Sequence, residues 1–114
     1  MILLTGATGF VGSIIYRLLK EKSDQAVVAI GRRQAEGITI CDLLSPQDSD
    51  VRWEQIESVI HCAAAIPAVS KVDSFDNVRM TQSLLGQFTP QQLKSFVMIS
   101  SVAVYPLNDD RGEL

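Results

Sequence analysis

With 114 residues, a formal net charge of −3, 46% hydrophobic and 20% charged residues, the chain has the make-up of one ordinary globular domain and is too short for two. It carries no basic tract of the kind that grips nucleic acid, no apolar run long enough to span a bilayer and no signal-peptide pattern at its start. The composition therefore argues against nucleic-acid and membrane partners and makes the cytoplasm the expected compartment.

Residues 1–4 read as a short buried strand. Val11, Ile14, Ile15, Leu18 and Leu19 then recur at helical spacing on one face. Between strand and helix lies Leu4-Thr5-Gly6-Ala7-Thr8-Gly9-Phe10-Val11-Gly12. A turn this tight needs residues without side chains, and a phosphate reaches backbone amides only where nothing covers them. The unpaired N–H groups of the first helical turn, at the positive end of the helix dipole, then form an anion site. Lys20 and Lys22 near the far end of that helix suit its negative end or simply face solvent.

Ala26-Val27-Val28-Ala29-Ile30, ended by Gly31, and Ile38-Thr39-Ile40-Cys41, ended by Asp42, read as buried strands. Ser45-Pro46-Gln47-Asp48 carries a helix start, with serine as cap and proline at the first helical position, ahead of a poor apolar pattern of Val51, Trp53 and Ile56. A fourth strand spans 58–63. A helix from about Ser74 to Gln87 follows, carrying Phe75, Val78, Leu84, Leu85 and Phe88. Thr89-Pro90 opens another short turn, and Phe96-Val97-Met98-Ile99 is the fifth strand, leading into Ser100-Ser101-Val102-Ala103-Val104-Tyr105. Cys41 and Cys62 lack metal-ligand spacing and read as buried thiols.

Continuously apolar strands alternating with helices predict an α/β, Rossmann-like, doubly wound parallel sheet in a three-layer sandwich. Right-handed crossovers from a central first strand give the strand order 3-2-1-4-5, with ligands expected beyond the carboxyl ends of the strands where the order reverses. At the end of the second strand, where an NAD binder commonly places an acid, stand Arg32 and Arg33. A guanidinium accepts a 2′-phosphate that a carboxylate would repel, so NADP is favoured over NAD; the plainer alternative is two solvated loop residues. Asp42 suits either an adenine contact or a turn.

In that order, Thr5-Gly6-Ala7-Thr8-Gly9-Phe10-Val11-Gly12, Asp42-Leu43, His61-Cys62-Ala63-Ala64 and Ser100-Ser101-Val102-Ala103-Val104-Tyr105 make nearly the whole chain resemble the extended short-chain dehydrogenase/reductases, in their NAD-dependent epimerase/dehydratase branch. The resemblance implies that Gly6, Gly9 and Gly12, with Thr8 and the amides of Phe10 and Val11, hold the pyrophosphate. It also implies that Arg32, beside Arg33, meets the adenosine phosphate and that Asp42 and Leu43 flank the adenine. Ala63, Ala64 and Ala65 would floor the nicotinamide-side ribose, with Ser100 close by. Ser101 matches the family's catalytic serine, which hydrogen-bonds the substrate oxygen. Asn77 matches an asparagine of the family's next helix, whereas Met80 stands where the family often has a small residue. His61, among apolar strand residues, reads as a packed or capped histidine.

The family's Tyr-x-x-x-Lys pair, which moves the proton in hydride transfer, belongs to a helix a couple of dozen residues beyond Tyr105; the one such spacing in this sequence, Tyr16 to Lys20, falls in the first helix and does not match it. The expectation is therefore a truncated nucleotide-binding portion of an oxidoreductase or epimerase acting on a carbonyl or alcohol, such as a nucleotide sugar. An uncovered edge beside the fifth strand would favour homo-oligomers. A redox sensor that binds NADP without turnover and an interaction module without nucleotide are the alternatives.

Overall fold

The computed structural model describes residues 1–63 and 75–99. Five parallel strands, β1 (Ile2–Thr5), β2 (Val27–Gly31), β3 (Ile38–Ile40), β4 (Ser58–His61) and β5 (Ser95–Met98), form one sheet in the order β3-β2-β1-β4-β5. The fold expected from the sequence is the one observed. β1 lies centrally, with Leu4 opposite Ala29 of β2 and Ile60 of β4.

Alternation along the strands sends side chains to two cores. Leu4 and Ala29, with Ala7, meet Ile15, Tyr16 and Leu19 of α1 (Phe10–Lys22) on one face. Leu3, Ile30 and Val59 meet Met80 and Leu84 of α2 (Asp76–Leu85) on the other. Burying side chains on both faces is what requires strands without polar alternation.

The helical faces differ from the expected ones. Val11, Ile14 and Leu18 are exposed, because the sheet takes only the Ile15–Leu19 side of α1. In α2, Phe75 just before it, Val78 and Leu85 face outward, and the buried pair is Met80 and Leu84, one turn apart. The helix start at Ser45-Pro46 produces one 3-10 turn, Pro46–Asp48, followed by a second, Trp53–Gln55. Val51, Trp53 and Ile56 are spaced too irregularly to give an α-helix an apolar side. Instead Gln92, in the turn after Thr89, donates from Nε2 to the carbonyls of Trp53 and Ile56 at 2.6 and 2.9 Å.

Among the described residues β5 pairs only with β4, and its Val97 and Met98 are about half exposed, at 48% and 53%. No helix among them is long and apolar enough to cross a membrane.

Candidate dinucleotide site

The loop from β1 to α1 is built on backbone packed against backbone. Gly6 has φ +66°, a left-handed conformation that side chains disfavour, and a Cβ there would stand 2.7 Å from the Ala63 nitrogen. A Cβ on Gly12, the one buried residue of α1, would collide with the Gly6 carbonyl oxygen. That oxygen also accepts the Gly9 amide at 3.0 Å, and the Ala7 amide ties the loop to Ile30 of β2 at 3.1 Å. The helix is thereby pulled down until its first turn rests on the loop. Gly9 caps α1 in an extended conformation, and the first intrahelical bond runs from Ser13 to the Gly9 carbonyl at 2.9 Å. The N–H groups of Phe10, Val11 and Gly12 precede any intrahelical acceptor, the position from which a helix start can offer donors to an anion.

A pocket opens beside this loop at the carboxyl ends of the strands. Gly6, Thr8 and Gly9 form one wall; Ile30, Gly31, Arg32 and Arg33 continue it along the end of β2; Cys41, Leu43, Cys62, Ala63 and Met80 complete it. Among the described residues no carboxylate belongs to this lining, and its two charged members are arginines.

Asp42 is exposed and serves the turn, its Oδ1 accepting the Leu44 amide at 2.9 Å. Leu43 faces the pocket; the turn is the role of Asp42 that the described contacts display, and its adenine contact stays a proposal. Phe10, 83% exposed, and Val11 have exposed side chains that are not among the described residues of the pocket wall. Ala64, Ala65, Ser100 and Ser101 lie outside the described residues. Both cysteines are free; burial pushes both thiols up in pKa, which keeps them protonated at neutral pH. Among the described residues no group of acids, histidines and cysteines could hold a metal.

Beneath the loop lies an arrangement that the motif pattern did not reveal. Thr5, fully buried, receives the amides of Cys62 and Ala63 on its Oγ1 at 3.0 and 3.1 Å, and the same oxygen is 2.6 Å from His61 Nδ1. A hydroxyl has two lone pairs and one proton, so Thr5 must donate to Nδ1. The other ring nitrogen, Nε2, then carries the hydrogen and donates to Thr81 Oγ1 at 3.2 Å. The Thr81 hydroxyl in turn donates to the Asn77 carbonyl at 3.0 Å. His61 is thus a neutral, buried structural histidine, and its burial lowers its pKa below the ordinary 6.5. The sequence marked His61 as a packed or capped histidine but gave no sign of its two threonine partners.

Comparison with known proteins matches residues 2–113 to the NAD dependent epimerase/dehydratase family. This chain belongs to that family. It is 30% identical, over 115 residues, to a UDP-glucose 4-epimerase from Vibrio cholerae, an alignment that takes in 90% of this chain and 35% of the relative. A short-chain dehydrogenase/reductase superfamily protein from Agrobacterium tumefaciens, solved with bound NAD, superposes with a TM-score of 0.74 at 26% identity, over 93% of this chain and 34% of that one. A mutant UDP-glucuronic acid 4-epimerase from Bacillus cereus, solved with a fluorinated UDP-sugar and NAD, gives 0.64 at 26% identity, over 91% and 41%. This chain therefore spans 34% to 41% of the length of these relatives.

Proposed function

We propose that this chain binds a nicotinamide dinucleotide and forms the cofactor-binding part of an epimerase or oxidoreductase acting on a carbonyl or alcohol centre, with a nucleotide sugar as the substrate class. The observation that carries this is the loop in which Gly6 and Gly12 bring the start of α1 down beside a pocket at the strand ends whose described charged residues are both arginines. The residues present fit the group. The amides of Phe10 and Val11 and the dipole of α1 receive the diphosphate, and the apolar surface of Ile30 and Leu43 suits the adenine. Arg32 and Arg33 face its ribose end, and Ala63 leaves room where the cofactor crosses β4. The bound nicotinamide would supply hydride chemistry. Ser101, Ser100, Ala64 and Ala65 keep the roles that the family resemblance gives them as part of this proposal.

The two solved relatives described above both carry NAD, so they lend NADP no preference. The case for NADP rests on the two arginines of the pocket wall alone. Replacing both, Arg32→Ala with Arg33→Ala, is expected to weaken NADPH binding by about tenfold or more and NADH binding far less, since a charge-assisted bond to a phosphate is worth about 1.5–3 kcal/mol. Calorimetric titration of both nucleotides checks this. Equal losses would remove the arginines from the choice of nucleotide, and no binding of either by the parent chain would overturn the function proposed.

A further inference from the structure

Above the Thr5–His61–Thr81 relay, Gly6 and Ala63 sit so close that a Cβ on Gly6 would come within 2.9 Å of the Ala63 Cα, and both residues line the pocket. The position of the Cys62–Ala63 backbone therefore sets how the glycine loop lies. That backbone is held through its two amides by Thr5 Oγ1, and the hydroxyl can accept both only while His61 Nδ1 is bare to take its proton. A proton on Nδ1 places a third donor against an oxygen that has no lone pair left.

Resting on the dinucleotide reading above, we propose that Thr5, His61 and Thr81 are positioning residues of the cofactor pocket, and that dinucleotide affinity falls when His61 becomes protonated. No charged group of the described residues opposes or assists that proton. From β1 His61 meets Thr5, from β5 the Phe96 ring at 6.1 Å between centroids, and from α2 Thr81. The charges nearby on α2, Asp76 and Arg79, are closed on each other at 2.7 Å, and the adjoining Cys62 thiol is neutral. Burial alone holds the ring below 6.5. The folded chain therefore binds fewer protons than the unfolded one in this range: the stability contribution is full above 6.5 and is lost as pH falls from there through the lowered folded value, and the formed pocket is lost at that lowered value, where the folded ring takes its proton.

The test is calorimetric titration of the full chain with NAD, whose diphosphate stays ionised throughout, at about pH 7.5 and about pH 5.5. Because the ring titrates below 6.5, affinity is expected to fall by less than about tenfold between them and to go on falling at lower pH, by at most about tenfold per unit for one proton. His61→Asn keeps an acceptor for the Thr5 hydroxyl and cannot titrate, so its affinity should change by less than about twofold. Thr81→Val should weaken binding at the higher pH, and Thr81→Ser should restore it. Ring 15N resonances of the parent chain give a readout independent of ligand: neutral His61 must carry its hydrogen on Nε2. Tight binding with no pH dependence, or the same slope in His61→Asn, overturns the positioning role while leaving the dinucleotide reading intact. An Nδ1–H tautomer overturns the relay itself. Absence of NAD binding at either pH, with the Nε2–H tautomer present, overturns the dinucleotide reading and the coupling with it.

Discussion

Gly12→Ala is expected to destabilise the chain by about 3 kcal/mol, the upper end of what overpacking costs, despite the gain of about 1 kcal/mol that alanine brings inside a helix. The added methyl group would collide with the Gly6 carbonyl oxygen, which has nowhere to move. A Cβ on Gly6 would lie 2.7–2.9 Å from the backbone of Cys62 and Ala63, so the loop is pressed between α1 and the end of β4. Relief would require α1 to lift off the sheet, exposing Ile15 and Leu19. Gly9→Ala is the control: its Cβ meets only the Gly6 carbonyl, at 3.3 Å, and less than about 1 kcal/mol should be lost. Urea denaturation of the two variants measures the difference, and similar midpoints would show that the loop yields.

Thr5→Val should cost a comparable amount by the opposite route, removing polar partners where Gly12→Ala adds volume. Valine keeps the shape of threonine and removes the oxygen, which leaves the Ala63 amide and His61 Nδ1 without a partner. The Cys62 amide retains its longer bond to the Thr5 carbonyl at 3.3 Å. Orphaned buried groups cost about 1–3 kcal/mol each, so a total near 3 kcal/mol is expected. Thr5→Ser, which keeps the hydroxyl, should recover most of it. The same denaturation series checks this, and a valine variant as stable as the serine variant would mean that water replaces the lost oxygen.

Much of this was legible in the sequence because strand order follows from connection chirality and a run such as Val27-Val28-Ala29-Ile30 suits only a strand buried on both faces. The glycine loop was legible for a similar reason, since its spacing reports a steric demand of the backbone. The division of helical faces was not. Periodicity grouped Val11, Ile14 and Leu18 with Ile15 and Leu19, but how far a helix rolls on its sheet depends on its contact with Gly6, which no pattern of apolar residues encodes. Met80 was singled out as a departure from the family, and only packing shows it buried at the pocket wall. Thr5, His61 and Thr81 are separated by 56 and 20 positions in the chain, and a hydrogen-bond network that spans three elements leaves no local signature. Asp42 showed the limit of a residue type that serves turns and ligands equally well.

The central claim, that the start of α1 receives a diphosphate, is tested most directly by following backbone amide resonances while NAD is added. The largest shifts should fall on Gly9, Phe10 and Val11, with smaller ones at Arg32 and Ala63. Saturating NAD that leaves these amides unmoved, or that shifts residues on another surface, would contradict it.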